Sequence, residues 1–72
     1  MLRTADYGEG SGTVASFDKM AGLGLIDGTD GATYPFHCTA IADGTRDIDV
    51  GRSVTFTIVA GHLGKLEATR IA

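Results

Sequence analysis

Ser53-Val54-Thr55-Phe56-Thr57-Ile58 alternates polar and apolar side chains for six residues, the period of a strand with one face buried and one in water. That stretch sets the frame for the rest, because a half-buried strand needs partners. The other apolar runs are equally short and are separated by turn residues. Thr13 to Phe17 reads as a first strand with Val14 inward, Leu23 to Ile26 as a second and Thr33 to Cys38 as a third. Lys65 to Ile71 reads as a fifth, returning after a hairpin at Gly61-His62-Leu63-Gly64. Asp27-Gly28-Thr29-Asp30-Gly31 makes a turn and the polar stretch around Asp43 to Asp47 a longer loop. The opening residues, 1 to 11, are polar and glycine-rich and read as a flexible arm ahead of a domain spanning 12 to 72.

Short strands spaced by glycine turns suit a barrel or a sandwich. In a chain of 72 residues a single closed barrel is the better solution, since closure removes edges that a tiny sheet cannot protect. The expected fold is therefore all-β, a five-stranded antiparallel barrel with Val14, Ile26, Tyr34, Phe36, Val54, Phe56 and Ile58 in its core. Pro35 belongs at an edge or bulge, because it has no N–H for a ladder. Apolar residues at 43% are enough for one small core, and charged residues at 21% fall short of a disordered profile.

The net charge of −3 argues against a general polyanion binder, though not against a local binding face. A single cysteine, Cys38, permits no internal disulfide and suits a reducing compartment. No apolar run marks a signal peptide or a membrane span, so a cytoplasmic location is expected.

Motif chemistry is sparse. Gly8-x-Gly10-x-Gly12 lacks the Gly-Lys-Ser/Thr of a phosphate-binding loop and the strand and helix of a dinucleotide site. Asp27-x-x-Asp30 lacks the alternating oxygens and terminal glutamate of a calcium loop. Gly61-x-x-Gly64 joins strands, whereas the Gly-x-x-Gly clamp of another RNA-binding module joins helices. His37 and Cys38 are neighbours on one strand, which should point them to opposite faces and make them a poor metal or catalytic pair. No metal, cofactor or enzymatic activity is expected.

Several segments, in order, resemble the cold-shock domain. Gly22-Leu23-Gly24-Leu25-Ile26 is similar to its Lys-Gly-Phe-Gly-Phe-Ile motif, with Ala21 at the lysine and leucines at both phenylalanines. Gly12-Thr13-Val14-Ala15-Ser16-Phe17-Asp18 is similar to Gly-x-Val-Lys-Trp-Phe-Asn, and Tyr34-Pro35-Phe36-His37-Cys38-Thr39-Ala40-Ile41 to Val-Phe-Val-His-Phe-Ser-Ala-Ile. Gly51-Arg52-Ser53-Val54-Thr55-Phe56 fits Gly-x-x-Val-x-Phe. The resemblance spans about residues 12 to 71. It implies an oligonucleotide-binding (OB) fold that stacks unpaired bases of RNA or DNA on an aromatic platform and contacts phosphates with lysines.

On that resemblance the nucleic-acid-binding positions are Phe17, Lys19, Leu23, Leu25, Pro35, His37 and Cys38. Most have lost the expected chemistry. Ser16 stands for the tryptophan, Leu23, Leu25, Pro35 and Cys38 for phenylalanines, Thr45 for a loop aromatic, and Ala15 and Ala21 for lysines. Three lost stacking partners at about 1–3 kcal/mol each would remove roughly 3–9 kcal/mol if additive, comparable to most of a micromolar binding energy. Phe17 also fits as a half-buried packing residue at a strand end. The expected function is single-stranded nucleic-acid binding of cold-shock type, weakened. The alternative is a protein-interaction module or weak homodimer using the same face, where Leu23, Leu25, Pro35 and Cys38 offer apolar surface rimmed by polar residues.

Overall fold

The computed structural model describes residues 6–61 and 65–72, with side chains from Gly8 onward. Five strands follow in chain order: β1 (Asp6–Asp18), β2 (Leu23–Gly28), β3 (Thr33–His37), β4 (Ser53–Ala60) and β5 (Leu66–Thr69), with a 3-10 turn at Cys38–Ala40. They form one antiparallel sheet in the order β3-β2-β1-β4-β5. No helix among the described residues is long and apolar enough to cross a membrane.

The long central strand makes this possible. The first part of β1 pairs with β4, from Asp6 opposite Val59 to Thr13 opposite Ser53, and its second part with β2, from Gly12 opposite Gly28 to Asp18 opposite Leu23. A bulge between Val14 and Ser16 leaves Ala15 without a partner in β2 and bends the strand as it passes between neighbours. The sheet curls until its two ends meet. There Ile41 bridges Ile71 in parallel: the Ile71 N–H donates to the Ala40 carbonyl (2.9 Å) and the Ala42 N–H to the Ile71 carbonyl (2.8 Å). Ala72 exchanges two hydrogen bonds with Thr55, at 3.0 and 3.1 Å, which fixes the chain's last residue against β4. The result is a nearly closed five-stranded OB barrel.

Val14, Ile26, Tyr34, Phe36, Val54 and Phe56 are buried, as alternation and alignment lead one to expect. Ile58 is only partly buried and packs against the outside of this cluster. Thr57 is buried in its place, lying in a cross-strand row between Glu9 of β1 and Thr69 of β5. The remaining core residues, Ile41, Ile48, Ala68 and Ile71, come from the long loop and the closing segments.

Two further sequence expectations change. Residues 6–11 are not an arm: they are strand, paired along β4, and Gly10 lies where a Cβ would meet the Phe56 ring at 2.8 Å. Glycine there is required by close packing. Residues 1–5 lie outside the described residues. The third strand ends at His37 rather than Cys38, because the backbone turns into the 3-10 segment, with His37 as its cap. The expected hairpin at 61–64 falls largely outside the described residues. The antiparallel partners on either side of it, Ala60 opposite Leu66, are in place.

Candidate functional site

Register across β1, β2 and β3 sorts the expected site residues by face. Directly paired residues of antiparallel strands point to the same side, and successive rows alternate. Ser16, Leu25 and Pro35 form one row, and Asp18, Leu23 and His37 another, both on the outer face. Leu23 is 54% exposed and Leu25 41%, a large apolar area to leave in water on so small a domain. Between them lies a shallow cavity of about 330 Å³ lined by Ser16, Leu23, Gly24, Leu25, Pro35 and Phe36. Pro35 sits on β3, at one end of the strand order, where its missing N–H costs no ladder bond.

The row between these two faces inward. Phe17, Gly24 and Phe36 are aligned across the three strands. Gly24 carries no side chain because a Cβ would run into the Phe36 ring and, at 2.8 Å, the Ser16 carbonyl. Phe17 and Phe36 instead stack over it with ring planes within 1° and centroids 5.9 Å apart. Phe17 is thus half-buried packing against the core, on the side opposite Leu23 and Leu25.

Cys38 also leaves the face. It opens the 3-10 turn, packs partly buried against the core, and donates its N–H to the Gly22 carbonyl (2.8 Å). The change from strand to turn undoes the expected opposition of His37 and Cys38, whose Sγ lies 3.8 Å from His37 Nδ1. That nitrogen already accepts the Thr39 N–H (3.2 Å), with Thr39 Oγ1 at 3.0 Å, and caps the turn. A neutral ring so engaged carries its proton on Nε2, which is then a hydrogen-bond donor. Among the described residues no three His, Cys, Asp or Glu side chains are placed to hold a metal ion.

Charge on this face is mostly negative. Asp18 ends the Leu23 row, and Asp27, opposite Thr13 and Thr33, lies beyond the Leu25 row. Period-two alternation from Leu23 and Leu25 already puts Asp27 on their face, a signal present in the sequence. Asp18 Oδ1 accepts the Met20 (3.0 Å) and Ala21 (3.2 Å) amides, which shapes the β1–β2 turn. Lys19, in that turn, pairs with Asp47 of the long loop, Nζ to Oδ2 at 3.1 Å. Nothing in the sequence marks Asp47 as Lys19's partner, 28 residues away.

The family model for the 'Cold-shock' DNA-binding domain matches residues 10–72. The chain belongs to that family. Cold-shock domains bind single-stranded nucleic acid. No curated protein sequence matches the chain. Within the cold-shock framework, the structure brings together Leu23, Leu25, Pro35 and His37, sets Lys19 at their margin, and places Phe17 and Cys38 elsewhere.

Proposed function

We propose that this cold-shock domain binds single-stranded RNA or DNA weakly, through the outer face of β1, β2 and β3. One observation carries the reading: Leu23 and Leu25 stand exposed, in register with Pro35 and His37, on the face where the resemblance puts the base-stacking platform. Aliphatic side chains contact a base by dispersion alone, so each base gains less than the ~1–3 kcal/mol of aromatic stacking. Asp18 and Asp27 oppose phosphates, and Ala15 and Ala21 supply no counter-charge. Single strands are favoured over duplex, since only they present unpaired base faces. The lone thiol of Cys38 supports a reducing, cytoplasmic setting.

Anisotropy titrations of labelled oligothymidine and oligouridine, with a duplex competitor, test this. The expected dissociation constant is on the order of 10 μM or weaker at physiological salt, with a shallow salt dependence. Leu25→Phe restores one ring to the face and should tighten binding by at least about threefold, short of the roughly 5- to 150-fold that a whole stacked base is worth, because leucine already makes part of the contact. Nanomolar binding by the unaltered chain, or no gain from Leu25→Phe, would overturn the reading.

A second reading, protein contact or weak self-association, is favoured by the same exposed leucines and by Met20, 97% exposed in the adjoining turn.

A further inference from the structure

We propose that Asp47 occupies, on Lys19, the place a nucleic-acid phosphate would take, so that the loop 42–52 holds down the affinity of the outer face. The proposal rests on that face being where single strands bind. Lys19 directly follows Asp18, the last member of the Asp18–Leu23–His37 row, and is the cation nearest the exposed leucines in sequence and register. Its ammonium already meets a carboxylate.

That carboxylate is held in place by the loop. Asp47 Oδ1 accepts the Ile48 N–H (2.9 Å), and Ile48 is anchored in the core. The single Thr45 hydroxyl proton is shared between Asp43 Oδ1 (2.8 Å) and the Asp47 carbonyl (3.0 Å). Arg46 between them takes a left-handed backbone, φ 59°, which turns the chain so that residues 45 and 47 can make these bonds. An ordinary surface ion pair loses much of its attraction to the ordering of two mobile side chains. Here one partner is ordered already, and only the lysine has to be fixed.

A phosphate oxygen and a carboxylate oxygen are equivalent acceptors for one ammonium, and they repel each other. A strand reaching Lys19 must therefore displace Asp47 and then lie against its charge. Removing that charge frees one phosphate contact, which adds about 0.7 to the salt slope for a single strand.

The experiment compares the unaltered chain with Asp47→Asn, Asp49→Asn, Lys19→Ala and the Lys19→Ala/Asp47→Asn pair, titrating oligothymidine at several salt concentrations. Asparagine keeps an oxygen for the Ile48 N–H, and thermal unfolding verifies that the loop variants stay folded. Asp49 is exposed in the same loop and makes no ion pair among the described residues, so its variant carries the same change in net charge without freeing Lys19. Asp47→Asn should bind about three- to tenfold tighter at low salt, with the steeper slope, while Asp49→Asn changes affinity by less than about twofold. Lys19→Ala should cancel the gain in the pair. Equal gains from Asp47→Asn and Asp49→Asn would reduce the effect to net charge and overturn the proposal. So would no gain, with the proposed binding still standing. If no chain, altered or not, binds oligothymidine at low salt, the nucleic-acid reading of the face falls and takes this one with it.

Discussion

Asp30 and Tyr34 show how a turn can be tied to the core by one bond. The Tyr34 hydroxyl donates to Asp30 Oδ2 at 2.6 Å, while Asp30 Oδ1 accepts the Ala32 N–H at 2.9 Å. The Tyr34 bond, followed by the Ala32 amide, holds the Asp30 carboxyl below its ordinary range, and the same carboxylate pushes the Tyr34 hydroxyl up. The signs give a window. Asp30's contribution is present above about pH 4, the ordinary carboxylate value, and is lost as pH falls through its lowered value. Tyr34's is present below about pH 10 and is lost as pH rises through its raised value. Tyr34→Phe removes the bond and keeps the ring against Phe56, 5.2 Å away centroid to centroid. The difference in melting temperature between the two proteins should therefore be widest near neutrality and shrink in strong acid and strong base. A difference that stays constant from pH 2 to 11 would show that the bond is not what the variant removes.

Among the elements, closure is the least local event. β1 serves as the shared strand, but the backbone bonds that join the two ends of the sheet are those around Ile41 and Ile71 among the described residues. Ile71 is 1% exposed, so truncation leaves a cavity at the seam. Ile71→Ala should cost about 2–5 kcal/mol. Per-residue norms give a domain of this size a total of only about 4–11 kcal/mol. The variant should show a much lower urea midpoint with an unchanged slope, or be largely unfolded before urea is added. A loss below about 1 kcal/mol would mean that the seam contributes little and the barrel is held by β1 alone.

On the scale of the whole molecule, one face carries the exposed Leu23 and Leu25, with Met20 in the adjoining turn and the carboxylates of Asp18 and Asp27 beside them, and water is a poor neighbour for the apolar group. Covering Leu23, Leu25 and Pro35 would remove on the order of 150–300 Å², worth about 4–8 kcal/mol before association costs. That suffices for a weak or transient contact and not for an obligate one. If the second reading holds, light scattering should show concentration-dependent association that Leu23→Glu with Leu25→Glu abolishes. Both side chains point outward, so the double variant should melt within a few degrees of the parent. An unaltered chain that stays monomeric to millimolar concentration rejects self-association. A double variant that unfolds would contradict the placement of these residues on the outer face.

Local pattern alone determined which side of the strands meets the core at most positions, Ile58 in β4 being an exception. Alternation over 53–58 put Val54 and Phe56 inward, and the aligned segments did the same for Val14, Ile26, Tyr34 and Phe36, because side-chain period and sheet pleat are one geometry. The same logic put Leu23, Leu25, Pro35 and His37 together outside. It failed where the backbone leaves the strand. Cys38 turned away because a 3-10 segment has a different period, and Phe17 turned in because the bulge at Ala15 shifts the register of β1 against β2. Residues 6–11 looked like an arm because glycines carry no apolar signal. Gly10 is strand because Phe56 needs the space, a fact about a residue 46 positions along the chain. Ile41 and Ile48 were invisible as core because each stands outside a periodic run, and Ile71, read as the end of the fifth strand, lies beyond Thr69 in the closing bridge. The Lys19–Asp47 pair belongs to the same class, since contacts between distant segments exist only once the barrel has brought their backbones together.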